Sequence, residues 1–446
     1  MAISLARRIT RAAAAFGPPP PDAVEKVKLA LYDYLSCAFE SLQAPQSLAA
    51  VRLASRWQQA GGATVLGTPL AVPSGEAAFV NAVLGHGLVR EDMHTGSVSH
   101  LGVVVFPALL ALSQAKPVAG GDFAAAAVCG YEAGAAIGRA LMDAETVRRI
   151  RPTGVTGPLG AAVAGARMLR LSEDAATSAL ALAANTTCGL NEWPRTGADD
   201  MYFQVGFAAR NAVTAVELAE QGVYAAETAL DGPAGLFTAL GRAERAAEVR
   251  AFEGERLAIL EVFHKPVGAC NYAQTATQAA LELAREVASP EIAAVRILCT
   301  RAALNYPGCD APGPFTRVLA AKMSIRYCAA AALARGTAAE SNFRDLADPE
   351  INRLIRATVL EEDPELTRAY PAAQGSEVIL TLRDGRQLRR RLADLTPASP
   401  EQIRDRYERA ASAVLGRIAT DVVASMIDTL EQQEEIGVLS ALLAAR

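Results

Sequence analysis

The sequence predicts a mainly α protein: a large all-helical domain with an inserted, smaller α+β domain that acts as a lid. Three observations predict it. Ala-rich segments with apolar residues at helical spacing dominate the first roughly 260 residues. Near Lys265 the texture changes to strand-like runs and an Asp-Gly turn. After Thr396-Pro397-Ala398-Ser399-Pro400 a helical pattern returns, so the chain divides into 1–264, 265–395 and 396–446. The last segment is expected to rejoin the helical domain, which leaves a cleft between that domain and the insertion.

Each element has its own reason. Asp22 with Glu25 reads as a capping box after Pro18 to Pro21, and Val24, Val27, Leu31, Tyr34 and Ala38 then recur on one helical face. Further helices are expected over 77–88, 123–141, 160–169, 173–185 and 206–221. Their many Ala and Gly positions let neighbouring helices approach closely. Val295 to Thr300 reads as a strand, and Ser376 to Leu382 with Gln387 to Leu392 as a hairpin closed by Asp384-Gly385. Helices are expected again over 401–415 and 418–443.

Composition excludes several function classes. The chain has 446 residues, 51% hydrophobic, enough for a large core, and a net charge of -5 that gives no basic face for nucleic acid. No apolar run reaches the roughly 20 residues of a membrane span. The first residues, Met1 to Thr10, continue into a helix and lack the layout of a leader, so the protein is expected to be cytoplasmic. Seven scattered cysteines without a Cys-x-x-Cys pair (Cys37, Cys129, Cys188, Cys270, Cys299, Cys309, Cys328) read as reduced thiols, with neither zinc nor an iron–sulfur cluster suggested.

The segment His86 to His100 is where chemistry is expected. It holds three of the four histidines, His86, His94 and His100, together with Glu91 and Asp92, and it precedes the apolar helical run Val103 to Leu112. A polar loop at the mouth of a buried helix keeps side chains both fixed and reachable.

These residues resemble the MmgE/PrpD family of 2-methylcitrate dehydratases, cis-aconitate decarboxylases and iminodisuccinate epimerases. The markers are the His86 to His100 segment, Arg151-Pro152-Thr153-Gly154 with Gly160-Ala161-Ala162, and Gly206-Phe207-Ala208-Ala209-Arg210-Asn211. Lys265-Pro266 with Cys270, Ala321 to Tyr327 and the Asp384-Gly385-Arg386 turn complete them. The resemblance spans almost the whole chain. It implies a helical domain with an α+β lid, a homodimer, and a polar cleft that handles di- or tricarboxylates with no cofactor and no metal.

The reactions of that family share carbanion character at a carbon next to a carboxylate, which requires cations and a positioned base. Carried over position by position, the kit is partly replaced. Val89 and Met93 stand where the family has an acid and a threonine, Met201 and Gln204 where it has a lysine and a histidine, and Gln274 at a further histidine. Arg151 stands at another histidine, while His100, Lys265 and Cys270 match. His100 is then the expected base, with Asp92 orienting a histidine and His94, Tyr272 and Cys270 as further acid/base groups. Arg151, Lys265, Gln204, Met201 and Tyr327 are the expected substrate contacts. His86 reads as a packing residue, and His264 is unmatched by the family pattern. Three readings stay open: a lyase, an epimerase with acid/base groups on both faces of one carbon, and a binding paralogue without catalysis.

Overall fold

The computed structural model describes residues 3–187 and 189–445; Cys188 lies outside them, as do Met1 and Ala2 of the N-terminal segment. The expected class is what it shows: mainly α, with one small mixed region. The helical part is built around α1 (Pro21–Glu40), α2 (Ser74–His86), α3 (Gly102–Leu112), α4 (Gly120–Leu141), α5 (Pro152–Met168) and α6 (Asp200–Glu220). Every residue of α3 is buried, so it forms the axis around which the amphipathic helices pack. Close approach explains the small residues. A Cβ on Gly160 of α5 would come within 2.5 Å of the Gly130 carbonyl of α4, so only glycine fits there.

The mixed region contains α7 (Gln274–Leu283), α8 (Ile325–Arg335) and four strands: β1 (Ile292–Cys299), β2 (Thr358–Glu362), β3 (Ser376–Leu382) and β4 (Gln387–Leu392). The sheet order is β2-β1-β3-β4, with β1 and β2 parallel and the other pairs antiparallel. Val295 faces Thr358, and Ser376 faces Leu392. The edge strand β4 carries Arg389, Arg390 and Arg391, and such charge discourages pairing with another chain.

Helix α9 (Pro400–Leu415) lies on α1, with the Tyr32 and Tyr407 rings 4.9 Å apart and the Arg404 guanidinium 4.7 Å above Tyr32. From the same helix Arg406 donates to the carbonyls of Lys265 (3.0 Å) and Pro266 (2.7 Å). The chain is therefore fastened at its change of texture.

Local corrections have local causes. The box at Asp22 does not form, because Pro20 takes the cap position and Asp22 accepts from the Ala23 N–H. Helix α5 begins at Pro152 rather than 160: Pro152 supplies a first-turn φ, and Pro158 is tolerated within the helix. Helix α6 begins at Asp200 rather than 206. The expected 418–443 helix is two, Arg417–Asp428 and Ile436–Leu442, separated where Gln433 turns extended. Strand β2 is too short to be announced by any periodicity.

Candidate active site

The loop after α2 is shaped by the end of that helix. Val89 adopts φ 57, a left-handed conformation rarely taken by a β-branched residue, and it leaves the carbonyls of Leu88 and Val89 unpaired by the helix. Two buried lysines take them. Lys322 donates to Leu88 O at 2.9 Å, and Lys265 donates to Val89 O at 2.5 Å and to Ala269 O at 3.2 Å. Cations at a helix C-terminus are stabilised by its dipole, so the loop and the Lys265 junction hold each other.

Past this turn Glu91 and Asp92 point to different partners. Glu91 is buried, with Oε1 2.5 Å from His86 Nδ1 and 3.2 Å from His100 Nδ1. Asp92 accepts from the Tyr131 hydroxyl and, at 3.3 Å, from the Gly102 N–H that opens α3. A Cβ on Gly102 would lie 2.9 Å from the Asp92 carboxylate, so this contact requires glycine.

The tautomers follow from the partners. Arg151 Nη2 sits 2.5 Å from His86 Nε2; an arginine only donates, so Nε2 accepts and His86 carries its proton on Nδ1, toward Glu91. His100 Nδ1 faces two acceptors, the Asp92 carbonyl at 2.8 Å and Glu91, so it too is the protonated nitrogen. His100 Nε2 is left as an unprotonated base. The His100 main-chain N–H is held by Thr153 Oγ1 at 3.1 Å.

Nε2 belongs to the residue that reaches open space. The side chain of His100 is 12% exposed, against 0% for His86 and 1% for His94. His100 lines a cavity of about 50 Å³ together with Val89, Met93, Val98, Arg151, Pro152, Thr153, Trp193, Met201, Lys265, Cys270, Asn271, Tyr272, Tyr306 and Met323. A wider cleft of about 490 Å³ lies beyond, and Val98, Tyr272 and Tyr306 border both.

The electrostatics are those of a dry, cationic pocket. Burial, and then the nearby Lys265, push the His100 imidazolium well below its ordinary range. Burial likewise takes His86 down to about 4 and Arg151 down to about 10, and lowers Lys265. Burial alone would raise Glu91, but the neighbouring histidines and Lys265 more than offset it, so Glu91 stays ionised. The first turn of α5 adds the positive end of its dipole beside Thr153. The Cys270 thiol is lowered, first by Cys309, whose sulfur is 3.7 Å away. Among the described residues no group of three His, Cys, Asp or Glu side chains is arranged to hold a metal ion.

Of the residues expected from sequence, His100, Arg151, Lys265, Met201, Cys270 and Tyr272 are brought together around this cavity. Four are not. The Asp92 carboxyl turns to Tyr131, and only its carbonyl serves His100. His94 is tied to Ser97 at 2.8 Å and Glu261 at 3.0 Å, because its ring caps the short turn 95–97. Gln204 stands behind Arg151, donating to Leu190 O at 3.0 Å. Tyr327 points into the lid core, where its hydroxyl meets Asn342 O at 2.8 Å between Phe315 and Phe343. Sequence reasoning missed Glu91, His86, Trp193 and Tyr306. The Trp193 ring centroid lies 5.5 Å from the Arg151 guanidinium, and the Tyr306 hydroxyl accepts from Asn191 at 3.1 Å.

A mainly α protein with a polar cavity at the junction with a small mixed region, lined by a free imidazole nitrogen and two cations, has the form of a cofactor-free acid/base enzyme. The family model for the MmgE/PrpD N-terminal domain matches residues 5–248, and the model for the C-terminal domain matches residues 268–432. The chain belongs to the MmgE/PrpD family. It is similar to cis-aconitate decarboxylase of Aspergillus terreus, 24% identical over 95% of this chain and 92% of that protein. The cis-aconitate decarboxylases of Mus musculus (26% identical, 85% of this chain and 80% of that protein) and Homo sapiens (25%, 85% and 82%) are also similar.

Proposed function

We propose that this enzyme is a cofactor-independent lyase of dehydratase or decarboxylase type that moves a proton at a carbon next to a carboxylate of a di- or tricarboxylate. The observation that carries the reading is His100 Nε2, unprotonated, open to the cavity and held by its other nitrogen. The relatives, cis-aconitate decarboxylases by name, support the lyase class.

In a dehydration, Nε2 takes the proton from the carbon, the electron pair forms the new double bond, and hydroxide leaves with a proton from Tyr272 or Cys270. In a decarboxylation, the carbon–carbon bond breaks, carbon dioxide departs, and the pair left on carbon takes a proton from the imidazolium of His100. Both routes place transient charge on a carboxylate near Arg151 and Lys265, which are already oriented and desolvated. A bound dianion opposes the burial effect on His100, so binding is accompanied by proton uptake.

The cavity of about 50 Å³ holds a few waters and no four-carbon acid. The 265–395 segment therefore opens from the helical segments 1–264 and 396–446 to admit substrate. Equal solution scattering profiles with and without a tight ligand would count against this motion. A homodimer in the cytoplasm completes the reading; among the described residues no helix is long and apolar enough to cross a membrane.

The test is a panel of aconitates, methylcitrates, citramalates and amino-dicarboxylates in deuterated water. A lyase yields an alkene or carbon dioxide, and no turnover across the panel overturns the reading. A second reading, epimerisation, is favoured by Cys270, whose lowered thiol lines the same cavity as His100. Exchange of the α-hydrogen without loss of mass-bearing groups selects that one.

A further inference from the structure

The inner cavity has two unlike faces. Arg151, Lys265, His100 and the first turn of α5 form one; Val89, Met93, Met201 and Met323 form much of the other. The three methionines are each 2% exposed or less, so their thioethers pack against whatever fills the cavity rather than against solvent. They arrive from separate places: Met93 from the loop, Met201 from the first turn of α6, and Met323 from the segment before α8. Flexible, polarisable side chains of this kind adapt to an apolar group of irregular shape.

Charge sets the other limit. Arg151 and Lys265 bring two positive charges and Glu91 one negative, so the walls are net positive by one while both imidazoles are neutral. Protonation of His100 on binding makes it two. A dianion is balanced, whereas a third carboxylate would lie unpaired against thioethers, at a cost of several orders of magnitude in affinity if left uncompensated.

We infer that the substrate is a dicarboxylate bearing an apolar side arm, its carboxylates toward Arg151 and Lys265 and its arm against Met93, Met201 and Met323. The inference rests on the proton-transfer reading only for the position of the reacting carbon; the arm subsite is a statement about binding. Residue 201 is the specificity-determining position, because a cation there would face the arm.

The experiment is calorimetric titration of the full chain near neutral pH with methyl-, ethyl- and butyl-substituted maleates, and with cis-aconitate as the trianion. Affinity should rise roughly threefold to fourfold per added methylene, as full burial of a CH₂ requires. Cis-aconitate should bind at least about thirtyfold more weakly than butylmaleate. Met201→Lys should reverse that preference, and Met201→Leu, which keeps the volume, should retain it. A flat alkyl series, no binding by any member, cis-aconitate binding as tightly as butylmaleate, or a folded Met201→Lys with an unchanged preference would each overturn the inference. The two readings fail separately. If the alkyl series shows the expected slope but neither turnover nor proton exchange, the arm subsite stands and the lyase reading falls. If cis-aconitate is turned over and the alkyl series is flat, the subsite falls and the lyase reading stands.

Discussion

Two buried histidine–carboxylate pairs lie within this molecule, and only one of them belongs to a cavity. His86 and His100 share Glu91, with Arg151 closing the far side of His86. His264 Nδ1 meets Asp33 at 2.9 Å, with both side chains 2% exposed or less, and His264 Nε2 has no partner. The chemistry of the groups is the same in both. The difference is what the second imidazole nitrogen sees: a cavity with cations for His100, packed protein for His264. A histidine beside a carboxylate is thus no sign of a site until a route exists for a substrate to reach it.

The sharpest way to break this comparison is to exchange the roles. His100→Gln should lower kcat by about a thousandfold, the scale of general acid/base contributions, while leaving the melting temperature nearly unchanged. His264→Asn should do the opposite, lowering the melting temperature and leaving kcat per folded molecule intact. Turnover that survives in His100→Gln and collapses in His264→Asn would reverse the assignment.

Asp33→Ala tests the structural pair from its acid side. It strands the His264 Nδ1–H in a buried setting, so stability should fall by about 3 kcal/mol in urea unfolding. Unchanged unfolding would mean the pair is dispensable packing.

Glu91→Gln is a smaller perturbation of the catalytic pair. Glu91 raises the proton affinity of His100, so its removal lowers it further. The acidic limb of kcat/KM should then move to lower pH, and kcat should fall by about tenfold to a hundredfold as the base weakens. A fall in kcat with an unmoved limb would assign Glu91 to positioning alone.

The same comparison explains what could be read from sequence. The helical body, the Asp-Gly hairpin and the return of helix after Pro400 follow from periodicity and turn chemistry, because those signals are local. His100, Arg151, Lys265, Cys270, Tyr272 and Met201 were legible only as positions in a resemblance, and the fold brings them to one cavity. Glu91 was not distinguishable from Asp92. Which of two adjacent acids turns toward the histidines is decided by the left-handed Val89 and by Tyr131, 39 residues away from Asp92 in the chain. Tyr327 misled for the opposite reason: an amphipathic ring near the lid is equally at home inside it, and Phe315 and Phe343 take it there.

Asp92 gives the finest test, because it stands between the two pairs: its carbonyl orients His100, while its carboxyl lies in the field of Asp33 and His264. Burial is the largest influence on that carboxyl and, despite the Tyr131 hydrogen bond, pushes it up to about 6. An acid raised in the folded state binds its proton more tightly there than in the unfolded chain, where the value is about 3.9. Its stabilising contribution is therefore complete below the unfolded value and is lost as pH rises toward about 6, a difference on the order of 2 kcal/mol. Asp92→Asn keeps an acceptor for Gly102 and removes the titration, so its stability should change less between acidic and neutral pH than that of the wild type. Parallel curves would mean that Asp92 is ionised throughout and that the field behind His100 carries two negative charges. A flattened curve would mean that at mildly acidic pH the wall behind His100 is neutral apart from Glu91, and that Glu91 alone sets the basicity of the imidazole.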